Sequence, residues 1–246
     1  MTTTGTEDQV DPQVTALEEE VQKKLEDWTE KYKEQVTQLT TPKPQAEGGA
    51  EIAEPTSQFF GITYQWFDLL AVGPFQPVAP GGPFLPHRII RVGEPAVLIA
   101  ALWRNPLPLP GGPNPSAAQI MSPYQFRVRG ETVNLNRVTP GPDFAPVTGT
   151  FGGGFVNIVS MPLPPLPPAD APSEGNPTLL EVNVTIDILG AGPGLPPFAG
   201  FATRWFQPDV QPPFMFPFVP GVGPVVVPGV GPGVLNEVPV RILIYT

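Results

Sequence analysis

The stretch Arg88–Pro106, RIIRVGEPAVLIAALWRNP, decides how the rest of the chain is read. Ile90 and Val92 alternate with Ile89 and Arg91, Gly93-Glu94-Pro95 breaks the run, and Ala96 to Trp103 is continuously apolar until Asn105-Pro106 stops it. These are two β-strands joined by a turn. An unbroken apolar strand is buried on both faces, so Ala96–Trp103 is expected at the centre of a layered β structure.

Short strand, Gly93-Glu94-Pro95, apolar strand and Asn105-Pro106 together resemble the early strands of bacterial immunoglobulin-like domains, over residues 88–106. The resemblance implies an architecture and no activity.

Further strands lie on both sides. Phe60, Ile62, Tyr64 and Trp66 alternate with small or polar residues, and so do Tyr124, Phe126 and Val128, after which Arg129-Gly130-Glu131 is expected to turn the chain into Val133 and Leu135. Phe155–Met161 follows a triple glycine. Leu180, Val182, Val184, Ile186 and Ile188 have polar partners throughout, which calls for one wet face. Phe201–Phe206 and Val238–Ile244 complete the set. The expected fold is mainly β, an immunoglobulin-like β-sandwich over residues 56–246 with long Pro/Gly-rich loops. Pro 38 and Gly 26 in 246 residues approach the level of low-complexity chains, but here they punctuate apolar runs instead of replacing them, so order is expected.

Upstream the pattern changes. Residues 1–10 read as disordered. Asp11-Pro12 is a helix start, and Val14, Leu17, Val21, Leu25, Trp28, Tyr32, Val36 and Leu39 form one stripe of an amphipathic helix over 11–40. Docking of that stripe on the body and a coiled coil between copies are both open on this pattern. Residues 41–55 lack periodicity and read as a linker, so the helix is expected to be tethered and not embedded.

Charge divides the chain in the same place. The formal net charge of −10 falls mostly on residues 1–55, and every lysine lies at or before Lys43 while every arginine lies at or after Arg88. A lysine-free, nearly neutral body argues against nucleic acid as a partner. The N-terminus has neither a basic start nor an apolar segment, and the most apolar stretch, 214–235, is broken by prolines and glycines, so neither a signal peptide nor a transmembrane segment is expected. A cytoplasmic protein, or part of an assembled particle, fits that reading.

Chemistry is thinly supplied. There is no cysteine, and His87 is the only histidine, so thiolate and multi-histidine metal sites are excluded. None of the serines sits in a nucleophile elbow. Glu181 and Asp187 are six residues apart on one strand, roughly 20 Å, too far to act as a pair. Asp170 to Asn176 offers oxygens without the spacing of a calcium loop. No enzyme activity and no cofactor are expected.

What remains is surface. No charged residue lies between Asp143 and Asp170 or between Asp209 and Glu237, and the second gap holds Phe214, Phe216 and Phe218 at alternate positions. Trp66 and Trp205 each begin an aromatic pair. The 162–168 segment PLPPLPP reads as a polyproline loop, and the near-repeat of VPGVGP in 219–234 as two successive turns. These features point to a non-catalytic structural or assembly protein that self-associates, as a homo-oligomer or larger assembly, through its uncharged aromatic loops and in part through the helix. The alternative is a β-sandwich module that binds carbohydrate or peptide.

Overall fold

A computed structural model describes residues 11–40, 66–79, 82–109, 113–190, 198–202, 204–206 and 239–246. The described chain opens with α1 (Pro12–Thr40), then β1 (Phe67–Pro77), β2 (Phe84–Pro86), β3 (Ile89–Arg91) and β4 (Val97–Arg104). A short helix α2 (Ala117–Met121) leads into β5 (Gln125–Asn134), β6 (Thr139–Pro140), β7 (Val147–Thr150) and β8 (Val156–Pro162). β9 (Thr178–Leu189), β10 (Phe198–Phe201), β11 (Arg204–Phe206) and β12 (Val240–Tyr245) close the order. The protein is mainly β, with two sheets and an N-terminal helix.

The first sheet runs β11-β1-β4-β8 with β2 also on β1; the second runs β3-β12-β9-β5-β6 with β10 beside β9 and β7 beside β5. One buried cluster joins them, drawing Leu69, Leu98, Leu102 and Met161 from the first and Phe126, Val184, Ile186 and Ile242 from the second.

All eight residues of β4 are buried. Leu98, Ala100 and Leu102 face the second sheet, while Val97, Ile99, Ala101 and Trp103 face the other way, onto a second cluster completed by Leu17, Val21, Leu25 and Tyr32 of α1. The unbroken apolar run thus has its reason: a layer lies on each side of it. This corrects the expectation of a tethered helix. α1 is itself a layer, and its stripe is occupied by sheet residues. Burying a large apolar side chain contributes about 1.5–3 kcal/mol, so the side chains meeting here outweigh the freedom lost by a docked helix.

The two strands joined by a turn are present as β3 and β4, in different sheets: β3 pairs parallel with β12, and the turn at Gly93 (φ 82°) carries the chain from one sheet to the other. Two local expectations are corrected. Arg129-Gly130-Glu131 does not turn; β5 runs straight through it, paired to β9 from Gln125 to Asn134. A Cβ on Gly130 would stand 2.8 Å from the Phe144 ring, so the glycine marks a close approach. Phe201–Phe206 is two strands, β10 in the second sheet and β11 in the first.

Candidate functional site

Phe214, Phe216 and Phe218 lie outside the described residues, as does the strand expected at 60–66 apart from Trp66, which precedes β1. Trp66 is 41 % exposed just before β1, and its carbonyl accepts from the Asn105 amide at 3.0 Å. Trp205 sits opposite Ala71 in β11, five residues further along β1, which is about 17 Å from Trp66 at strand rise. The two tryptophan positions are therefore far apart on the same sheet.

The helix stripe is brought together, but inward. Leu17, Val21, Leu25 and Tyr32 are buried and Val14 and Trp28 partly so; the side chains of Val36 and Leu39 are not among those described. Thr29, which the stripe passes over, is buried at its centre. Its hydroxyl accepts from Trp103 Nε1 at 3.0 Å and donates to the Leu25 carbonyl at 2.7 Å. The indole of β4 thereby finds the polar partner a buried tryptophan needs, while Tyr32 meets the same ring edge-on at 6.1 Å. Along β8, Ser160 donates to the Glu18 carboxylate, and Lys33 Nζ lies 5.0 Å above the Phe155 ring.

Several polar groups elsewhere are tied into the fold. Arg104, fully buried at the end of β4, donates to the carbonyls of Ala118 (3.0 Å), Phe151 (3.2 Å) and Gly154, and its guanidinium stacks 4.5 Å from the Phe151 ring. Burial lowers its pKa to about 10, which leaves it charged at neutral pH. The Ser116–Gln119 capping box fixes α2 and with it the Ala118 carbonyl. Asp170, a candidate calcium oxygen in the sequence, accepts from Asn134 Nδ2 at 2.7 Å. Asp187 accepts from Arg127 at 2.7 Å and from Arg129, and the Arg127 hydrogen bond is the main cause of its lowered pKa. Glu181 faces Arg241 at 3.5 Å.

A concave surface lies at one rim, where β2 borders the first sheet and β3 the second. A groove of about 610 Å³ is lined by Gln76, Val78, Leu85, His87, Glu94 and Tyr245, with prolines between them. Gln76 donates to Glu94, and the exposed His87 is held by its backbone amide, 2.9 Å from the Pro74 carbonyl. Across the Glu94-Pro95 turn a cavity of about 280 Å³ borders the 163–166 segment. There Leu163 and Leu166 pack against the core, so the polyproline loop is anchored by its leucines. Around this rim Val78, Leu85, Ile89, Val92 and Tyr245 are all between 41 and 63 % exposed. Sequence alternation alone cannot mark them, because each follows the same pattern as its buried neighbours.

Among the described residues no group of three or more His, Asp or Glu side chains is placed to hold a metal ion, and no helix is long and apolar enough to cross a membrane. Comparison with protein-family models, with curated proteins and with solved structures finds no match.

Proposed function

We propose that this chain is a non-catalytic building block that assembles with copies of itself, its body an immunoglobulin-like β-sandwich carrying the helix on one face. The sandwich is supported by the buried cluster shared between the sheets. The immunoglobulin-like order is supported by β1, β4 and β8 lying side by side opposite β12, β9 and β5, as the first, second and fifth strands of that fold lie opposite the seventh, sixth and third.

The observation that carries the assembly reading is the rim of exposed apolar side chains, Val78, Leu85, Ile89, Val92 and Tyr245, on a body that bears little net charge. These side chains are already about half buried, so covering the remainder contributes on the order of 5 kcal/mol in all. That sum lies at the low end of the association cost of about 4–15 kcal/mol, so the rim alone gives weak contact. The uncharged stretch holding Phe214, Phe216 and Phe218 is proposed to supply the rest. The helix, whose stripe is engaged by the sheet, drops out as a driver of self-association.

One observation favours a second reading, a module that binds peptide. The rim groove combines Tyr245, prolines and a few polar groups, the make-up of a surface that accepts an extended segment. Sedimentation of wild type beside Phe214→Ser/Phe216→Ser/Phe218→Ser and Leu85→Ser/Tyr245→Ser separates the two. Assembly predicts that both variants lose mass. A wild-type monomer whose heat of peptide binding disappears in the Leu85/Tyr245 variant supports the module instead.

A further inference from the structure

The first sheet ends at β8, and among the described residues no strand pairs its outer edge. Which backbone groups face outward follows from the ladder to β4. The Arg104 amide donates to the Phe155 carbonyl, and the Leu163 amide to the Ala96 carbonyl, both at 2.8 Å. Both bonds continue the register that pairs Leu102 with Asn157, Ala100 with Val159 and Leu98 with Met161. Antiparallel ladders alternate between bonded and non-bonded pairs. Asn157, Val159 and Met161 are therefore bonded to β4, and the amides and carbonyls of Val156, Ile158 and Ser160 point away from it.

Among the described residues α1 covers one face of β8, but the edge itself carries neither charge, bulge nor interior proline. Exposed edges are blunted by charge, by bulges or by proline. β8 lies within the uncharged run between Asp143 and Asp170, and its register to β4 runs unbroken from Val156 to Pro162. Its one proline, Pro162, stands at the end, where the missing amide belongs to the open side.

We propose that β8 pairs antiparallel with β8 of a second copy about a twofold axis at Ile158, joining the two first sheets into one. This rests on the assembly reading above and names one of its contacts. Ile158 faces its own counterpart, Val156 faces Ser160 of the second copy, and on the order of six backbone hydrogen bonds form. The edge is self-complementary without any like charges opposed. α1 adds a charge match. Glu18 is bonded at Ser160 and Lys33 lies over Phe155, so α1 runs antiparallel to β8. Reversal of the second copy brings Glu18 of each toward the end of β8 where Lys33 of the other lies. Oppositely charged groups then meet at both ends, and a twofold contact of this kind is closed.

Two variants test it on the full chain. Ile158→Pro removes the donor at the axis and leaves the ladder to β4 intact, because that amide points away from it. It is expected to lower the sedimenting mass by a factor of two with an unchanged far-ultraviolet spectrum. The natural chain has no cysteine, so Ile158→Cys introduces a single thiol that faces its own copy at strand-pair distance, within reach of a disulfide. Oxidation should yield a disulfide-linked dimer at least tenfold above that from Thr150→Cys, on the exposed β7. Equal yields overturn the proposal, as does a folded Ile158→Pro that keeps the wild-type mass. In that second case assembly stands and this contact falls; a wild-type monomer without cross-linking removes both. Should Ile158→Pro fail to fold, the two cysteine variants decide alone.

Discussion

Leu25→Ala measures how firmly the helix belongs to the fold. Leu25 is fully buried between α1 and the outer face of the first sheet, in a cluster with Val21, Leu70, Ile99 and Trp103. Truncating a buried leucine costs about 2–5 kcal/mol, and the cost rises with the part of the cavity that cannot collapse. β4 is pinned between β1 and β8, and the Thr29–Trp103 hydrogen bond fixes the helix beside the vacancy, so collapse is limited. We expect about 3–4 kcal/mol, reduced only by the few tenths by which alanine favours a helix. In a chain of this length that corresponds to a fall in Tm of about 10 °C. Thermal unfolding followed by circular dichroism reads it, with the exposed Glu19→Ala as a control expected within about 0.5 kcal/mol of wild type. A helix that swings free of the body would respond in the opposite sense, since alanine is the better helix former. An unchanged or raised Tm in Leu25→Ala refutes the reasoning.

Removing residues 1–40 should expose Leu70, Val72, Ile99 and Trp103 together, and the truncated chain is expected to bind a hydrophobic dye and precipitate, read by fluorescence and light scattering. Arg104→Met should cost about 3–5 kcal/mol in urea unfolding, because it strips the Ala118, Phe151 and Gly154 carbonyls of their buried donor. Asp187→Asn tests the lowered carboxylate. Its contribution is present at pH above the unfolded value and is lost as pH falls through the lower folded one, so the variant should be less stable than wild type at pH 7 and match it in strong acid.

The central strand and its two-sided burial are legible in Ala96–Trp103, and the wet face of β9 in the alternation of Leu180–Ile188. What covers the second face of β4 is not. The helix stripe and Val97, Ile99, Ala101 and Trp103 are far apart in the chain, and periodicity gives each an apolar face without saying that the two meet. Thr29 escapes for a related reason: a threonine breaks the apolar stripe, and only the Trp103 indole explains its burial. Gly130 imitates a turn because its neighbours are charged, yet its cause is the Phe144 ring, fourteen residues away. The capping box at Ser116 and Gln119 is readable from spacing alone. Buried Arg104 is not, since its partners are backbone carbonyls of a glycine-rich loop, which leave no mark in side-chain pattern. The rim groove is equally hidden, because it joins the borders of two sheets that are adjacent only after folding.

The most direct test of the proposed assembly is the mass of the full-length protein in solution, by sedimentation equilibrium at tens of micromolar, in low and in high salt. A multiple of the chain mass that persists in high salt is expected, because apolar contact and strand pairing carry the association and exposed charge is screened. A single species at the mass of one chain across that range contradicts it.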